Sequence, residues 1–154
     1  SGGSRDSFTL AISHMEDGKR VLDLIREVIP PFSPEAVVAE FTREIRRYGM
    51  SFVTGDRYAG EWVSEAFTKQ GIEYKLSEMS RSELYLELLS MLNSQTCLLL
   101  EHDQLKLQLL GLERRTSRAG KDTVDHVPGG KDDISNSVAG ALAILSGSAP
   151  VDFW

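Results

Sequence analysis

Cysteine is almost missing from this chain: Cys97 is the only one among 154 residues. A single cysteine excludes an intrachain disulfide and a cysteine-based zinc site. It stands in the run Thr96-Cys97-Leu98-Leu99-Leu100, with no neighbouring group to activate a thiol, so a small buried hydrophobe is its expected role. Histidine is scarce as well. His14, His102 and His126 are scattered, and His14 and His102 read as structural. His126, in Asp125-His126-Val127-Pro128, reads as a loop residue that lies close in sequence to an acidic pair. No apolar run is long enough to span a bilayer, and no leader pattern opens the chain, so the expectation is a cytosolic protein without a membrane partner. The phosphate-cradling GxxxxGK(S/T) loop is absent too. Gly129-Gly130-Lys131 lacks both the upstream spacing and the following hydroxyl residue. Nor is there an excess of positive charge: 17 Lys and Arg stand against 23 Asp and Glu, a net charge of −6. This excludes a chain coated in basic residues, but not a nucleic-acid enzyme with local basic patches.

What is present fits one globular domain, expected over residues 1–147, with a flexible tail over 148–154. Ser7 to Met15 is β-rich, Asp17-Gly18 is a hairpin signal, and Arg20 to Ile29 suits a returning antiparallel strand. Ser33, Pro34 and Glu35 combine an N-cap, a proline at the first helical position and an acidic first turn. Val37, Val38, Phe41, Ile45 and Tyr48 form that helix's apolar stripe, and Gly49 closes it. A short strand over 51–55 is followed by a helix from about Ala59 to Gln70, with Trp62 expected in the core, and by a strand over Ile72 to Leu76. Ser80-Arg81-Ser82-Glu83 leads into a helix bearing Leu84, Leu88, Leu89 and Leu92. Cys97 to Leu100 is a further strand candidate, and Asp103 is the expected cap of a helix reaching about Arg115. Ala119-Gly120-Lys121-Asp122 marks a protruding hairpin, and a small-residue helix spans Ile134 to Leu145. A hairpin followed by alternating helix and strand implies an α/β fold: a mixed sheet flanked by helices.

Two acidic positions stand out. Asp56 ends the apolar run Ser51-Phe52-Val53-Thr54-Gly55, so a buried strand would deliver its carboxylate to the sheet's C-terminal edge, where ligands of such sheets gather. Asp132-Asp133 opens the small-residue helix. Carboxylates from a strand end and a late helix are hard oxygen donors suited to Mg²⁺ or Mn²⁺ in a nuclease. A strand-end turn cap accounts for Asp56 equally well, and one of Asp132 and Asp133 is expected as the helix N-cap. Adjacent acids cannot both cap, which leaves the other for a site. Glu61 follows Asp56 by about one turn, where a first-turn glutamate is expected in any case. Arg114, Arg115, Arg118 and Lys121 concentrate positive charge in a glycine-containing loop and are candidate phosphate contacts.

The segments Gly3 to Ile12, Pro31-Phe32-Ser33-Pro34, Gly55-Asp56-Arg57-Tyr58-Ala59-Gly60, Leu112-Glu113-Arg114-Arg115 and Pro128-Gly129-Gly130-Lys131-Asp132-Asp133 run in one order with plausible spacing. Together they resemble the C-terminal nuclease domain of the bacteriophage terminase large subunit, over the chain from its start to about Leu145. The resemblance implies a ribonuclease H-like fold and a two-metal endonuclease, using two Mg²⁺ or Mn²⁺ ions, that cuts concatemeric double-stranded DNA during genome packaging. It implies Asp56, Asp132 and Asp133 as catalytic metal ligands, Asp6 as an auxiliary metal-binding acid, and Lys131, Arg114, Arg115, Arg118 and Lys121 as DNA contacts. The implied partners are double-stranded DNA, the terminase ATPase domain, the small terminase subunit and the portal protein, in the host bacterium's cytoplasm.

Two departures accompany the resemblance. In the family a metal-binding aspartate stands just before a Ser-Gly-Gly turn, at the end of the first strand, whereas this sequence starts with Ser1-Gly2-Gly3-Ser4, either that native turn or a linker. The expectation is a sheet lacking its first central strand and one ligand, with weak metal binding and poor cutting. Lys131 stands where relatives often carry histidine; a protonated lysine cannot ligate metal but can contact phosphate. The alternatives left open are another ribonuclease H-like nuclease, such as a junction resolvase or transposase-like enzyme, and an inactive portal- or motor-docking module.

Overall fold

The computed structural model describes residues 6–56, 60–145 and 151–153. The first two strands, β1 (Phe8–Glu16) and β2 (Lys19–Val28), form an antiparallel hairpin in the expected place. Its turn residues Asp17 and Gly18 both have positive φ, 50° and 75°. That backbone twist matches paired strands, and Asp-Gly adopts it readily. After the hairpin come α1 (Pro34–Arg47), β3 (Phe52–Gly55), α2 (Glu61–Lys69), β4 (Glu73–Leu76), α3 (Arg81–Ser94) and β5 (Cys97–Leu98). The chain continues with α4 (Asp103–Leu110), a separate antiparallel hairpin of β6 (Leu112–Thr116) and β7 (Asp122–His126), α5 (Asp133–Ala143) and β8 (Val151–Phe153).

The main sheet has six strands in the order β4-β3-β8-β1-β2-β5, so the architecture is a mixed α/β sheet flanked by helices. One face is covered by α1 and α2: Val37, Val38, Phe41, Ile45, Val63 and Phe67 pack on Phe8, Leu10, Ile12 and Val53. On the other face, Leu84, Leu88, Leu105, Val138 and Leu142 of α3, α4 and α5 pack with Ala11, Leu22 and Phe153. The alternation of β1 residues between the two clusters is the period of two that a sheet covered on both faces requires.

Local signals act as sequence chemistry demands. Ser33 caps α1, its side chain accepting from the Ala36 N–H. Ser80 and Glu83 form a reciprocal capping box at α3. The small residues of α5 allow close approach to β1: the Thr9 and Ser137 hydroxyls lie 2.6 Å apart, and Ser13 Oγ donates to the Ala141 carbonyl at 2.7 Å. At the far end of α5, Arg20 Nη1 donates to the Leu142 and Leu145 carbonyls at 2.5 and 3.2 Å. A cation there satisfies orphaned carbonyls and complements the helix dipole.

Five expectations are corrected. The helix expected to reach about Arg115 ends at Leu110, and Leu112–Thr116 form β6 instead. His102, not Asp103, caps α4, its Nδ1 accepting from the Leu105 N–H at 3.2 Å. Trp62 is 38% exposed, lying against Phe8 at 5.5 Å between ring centroids rather than within the core. The expected loose tail, 148–154, does not hold for Val151–Phe153, which form β8 (148–150 and 154 lie outside the described residues). And the sheet position expected to lack its central strand is filled by β8. This strand runs antiparallel to β1, with Ala11, Ile12 and Ser13 opposite Phe153, Asp152 and Val151, and parallel to β3, with Thr54 opposite Phe153. Phe153 is fully buried over Gly140, where a Cβ would stand 2.3 Å from the ring. Apolar burial and the absence of a side chain on α5 therefore hold β8 in place, a long-range contact that local patterning does not report.

Candidate functional site

Asp56 leaves the end of β3, as the sequence implied, and its side chain is 15% exposed. Across the cleft, Asp132 occupies the N-cap position of α5 but makes no side-chain capping bond. The expected cap role falls instead to Gln108 of α4, whose Oε1 accepts the Ser135 N–H at 3.0 Å. That substitution frees the Asp132 carboxylate to turn towards α3. There Tyr85 donates its hydroxyl to Asp132 Oδ2 at 2.8 Å, and Arg81 Nη1 contacts Oδ1 and Oδ2 at 3.4 and 3.3 Å. The same guanidinium reaches Asp56 Oδ2 through Nη2 at 3.7 Å. One planar cation thus contacts the strand-end acid and the helix-opening acid together.

The adjacent acids diverge. Asp133 lies beside the start of β1, near Asp6 and the Ser7 backbone. Burial raises the Asp133 carboxyl above its ordinary value, the Asp6 and Asp132 charges push it further, and a Ser7 backbone hydrogen bond opposes them. Asp6 is exposed. His126 ends β7 with Nε2 3.9 Å from Asp132 Oδ1, so this loop-expected residue borders the acids. Its Nδ1 lies 2.8 Å from the Val127 carbonyl; that contact, with the Asp132 and Asp125 charges, raises its pKa against the effect of burial. Glu61 is exposed in the first turn of α2.

Around Arg81, burial works against the charge, but Asp132, Tyr85 and Asp56 outweigh it and the pKa is raised. Tyr85 is likewise driven upwards, by burial and then by Asp132, so it serves as a donor. Neither residue was singled out from the sequence. The Ser80-x-x-Glu83 box fixes where α3 starts and therefore where Arg81 and Tyr85 point, but nothing local announces which acids they meet.

The basic candidates are distributed differently. Lys131 is exposed and shares a groove of about 480 Å³ with Ser7, Glu27, Ile29, Leu107 and His126. On the β6–β7 hairpin, Arg114 is paired with Asp122, and Arg115 Nη2 lies 2.8 Å from Glu113. Arg118 and Lys121 are exposed by the turn. Four basic residues there face the three acids Glu113, Asp122 and Asp125, which weakens the hairpin as an electrostatic footprint.

Sequence reasoning also missed Asp152. It lies opposite Ile12 in the sheet, fully buried, with neither carboxylate oxygen hydrogen bonded. Burial pushes its pKa up to about 8, tempered by nearby backbone N–H groups of Asp152 and Thr54 and by Lys75. Thr54 is level with Phe153, which sets Asp152 about three residues, roughly 10 Å, deeper in the sheet than Asp56.

Among the described residues no three His, Cys, Asp or Glu side chains come close enough together to hold a metal ion. The chemistry of the cleft nonetheless suits one. Two carboxylates from separate elements already share a cation, and hard oxygen donors of this kind select divalent magnesium-like ions.

Comparison with solved structures places the architecture. The crystal structure of the large terminase nuclease from thermophilic phage G20c aligns with a TM-score of 0.80 at 19% identity, over 95% of this chain and 79% of that one. The chain has the fold of a phage large-terminase nuclease domain. The magnesium-bound form of the G20c nuclease gives a TM-score of 0.77 at 18% identity, over 95% and 78% of the two chains. For the HK97 bacteriophage large terminase the values are 0.74 and 13%, over 92% of this chain and 37% of that longer one. No protein-family model and no curated protein matches the sequence. The likeness thus lies in the path of the backbone, which the six-stranded sheet and its helices reproduce at low identity.

Proposed function

We propose that this chain is the nuclease domain of a phage large terminase, a divalent-metal endonuclease that cuts concatemeric double-stranded DNA during packaging. The observation that carries the reading is the shared guanidinium. Arg81 lies within 3.7 Å of Asp56 and 3.3 Å of Asp132, so acids distant in sequence face one cleft within a terminase-nuclease fold. The magnesium-bound form of the G20c nuclease supports the choice of a divalent ion.

In this reading Asp56 and Asp132 hold the ion, and Asp133 with Asp6 forms a second acidic edge at the start of β1. When bound, paired divalent ions supply Lewis-acid activation of the phosphodiester and of the attacking water. The protein's own residues set the stage. Tyr85 and Arg81 fix the orientation of the Asp132 carboxylate, and the sheet edge fixes Asp56. Lys131, beside the groove, and Arg118 and Lys121, at the hairpin turn, contact backbone phosphates. Arg114 and Arg115 do so only after exchanging their intrahairpin acids. Contacts of this kind make binding fall with salt and give little sequence preference. The ATPase domain, small subunit and portal are the partners that packaging requires, in the host cytoplasm. No described helix is long and apolar enough to cross a membrane.

Supercoiled plasmid incubated with Mn²⁺ tests the proposal. Nicking is expected, with Asp56→Ala reducing it at least a hundredfold while leaving the fold intact by circular dichroism. Metal-independent nicking, or nicking indifferent to Asp56→Ala, rejects it.

A further inference from the structure

Arg81 sits where a cation between the acids would sit. Its Nη1 faces Asp132 at 3.3 Å, its Nη2 faces Asp56 at 3.7 Å, and the side chain remains 38% exposed. It is the first residue of α3, directly after the Ser80–Glu83 capping box, so its backbone is fixed while its long side chain keeps a route to solvent. Asp132 has a second support, because Tyr85 holds the same carboxylate at 2.8 Å. The arrangement is a built-in counter-ion on two converging carboxylates. We propose that Arg81 is a positioning residue that competes with the divalent ion: it holds Asp56 and Asp132 together in the metal-free protein and must give up its contact with Asp56 when the ion binds. The inference rests on the metal-dependent reading of the same cleft.

The physical consequence has two opposed parts. Without the guanidinium charge Asp56 and Asp132 lose the cation they share, so the metal-free protein loses stability. With the competing charge gone, a divalent ion meets less repulsion, and for a guanidinium displaced to roughly 7 to 10 Å the like-charge term in water is worth about three- to tenfold in affinity. An arginine that served only as a structural ion pair would produce the first effect without the second.

Calorimetric titration with Mn²⁺, paired with thermal unfolding in chelator at low salt, reads both. Arg81→Gln is expected to lower the melting temperature in chelator and to bind Mn²⁺ about three- to tenfold more tightly than the parent. Arg81→Lys, which keeps the charge, is expected to stay within about twofold of the parent affinity. Parent-like or weaker Mn²⁺ binding by Arg81→Gln overturns the inference and leaves the nuclease reading standing. Absence of Mn²⁺ binding in the parent and in both variants at millimolar concentration overturns the metal-dependent reading and this inference with it. Should Arg81→Gln fail to fold, Arg81→Met supplies the neutral side chain instead: Mn²⁺ binding tighter than the parent's supports the inference, and parent-like or weaker binding overturns it.

Discussion

Asp132 and Asp152 are the same residue type, buried to nearly the same degree, 5% and 0% exposed. The first stands at the rim of the sheet with a tyrosine hydroxyl and a guanidinium on its oxygens. The second stands in the sheet interior, opposite Ile12, with both oxygens unpartnered. A carboxylate can be buried either by importing partners or by giving up its charge. Asp132 takes the first course and Asp152 the second, which is why burial lifts its pKa to about 8. Burial alone therefore does not decide whether an acid keeps its charge; the partners that come with it do.

The largest expected effect is on pH dependence at Asp152. Its folded pKa, about 8, exceeds the ordinary 3.8, so the folded chain keeps a proton that the unfolded chain releases. Stability is then flat below about pH 4, falls as pH rises through the interval, and levels off above about pH 8. The loss between pH 5 and pH 8 is on the order of 3 to 4 kcal/mol, or less where undocking β8 costs less than charging the acid. Asp152→Asn should remove most of that slope and raise stability at pH 8. Urea unfolding at pH 5, 6.5 and 8 checks it. Parallel parent and variant curves would show that Asp152 has found a partner and would dissolve the contrast.

A smaller effect is expected from Asp132→Ala. It takes the acceptor from Tyr85 and leaves Arg81 with Asp56 alone, at 3.7 Å. Removing one member of a buried pair costs about 3 to 5 kcal/mol, and the exposure of Arg81 discounts this to about 2 kcal/mol. Denaturant midpoints at pH 7 measure it, and a loss below about 0.5 kcal/mol would mean that partners do not define the Asp132 environment.

Much of the sheet was readable from the chain because its signals are local. Asp17-Gly18 sets the β1–β2 hairpin, Ser33 and Ser80 set two helix starts, and the run into Asp56 ends β3. The parts that were not readable depend on distant contacts. Val151-Asp152-Phe153 has no pattern of its own, and its place follows from Gly140 making room for Phe153. For Asp132 the helix-cap position was evident, but the release of its carboxylate depends on Gln108 accepting the Ser135 N–H. Arg81 followed a clear helix start, yet its bridging of Asp56 and Asp132 exists only once β3, α3 and α5 converge.

Tyr85→Phe gives the mildest test, and it separates the two supports of Asp132. The hydroxyl donates to Asp132 Oδ2 at 2.8 Å and lies 3.0 Å from Ser135 Oγ, while the ring packs within the α3–α5 core. Phenylalanine preserves the ring and deletes only the donor, so the cost should be that of one hydrogen bond to a carboxylate, about 1 to 2 kcal/mol. Arg81 still contacts both Asp132 oxygens in the variant, and the carboxylate therefore keeps its charge partner. Unfolding in urea should show that loss, and adding Arg81→Gln should cost more than the two single changes summed, because each support backs up the other. Additive costs in that double-mutant cycle would mean that Tyr85 and Arg81 hold Asp132 independently, and that its contrast with Asp152 rests on the ion pair alone.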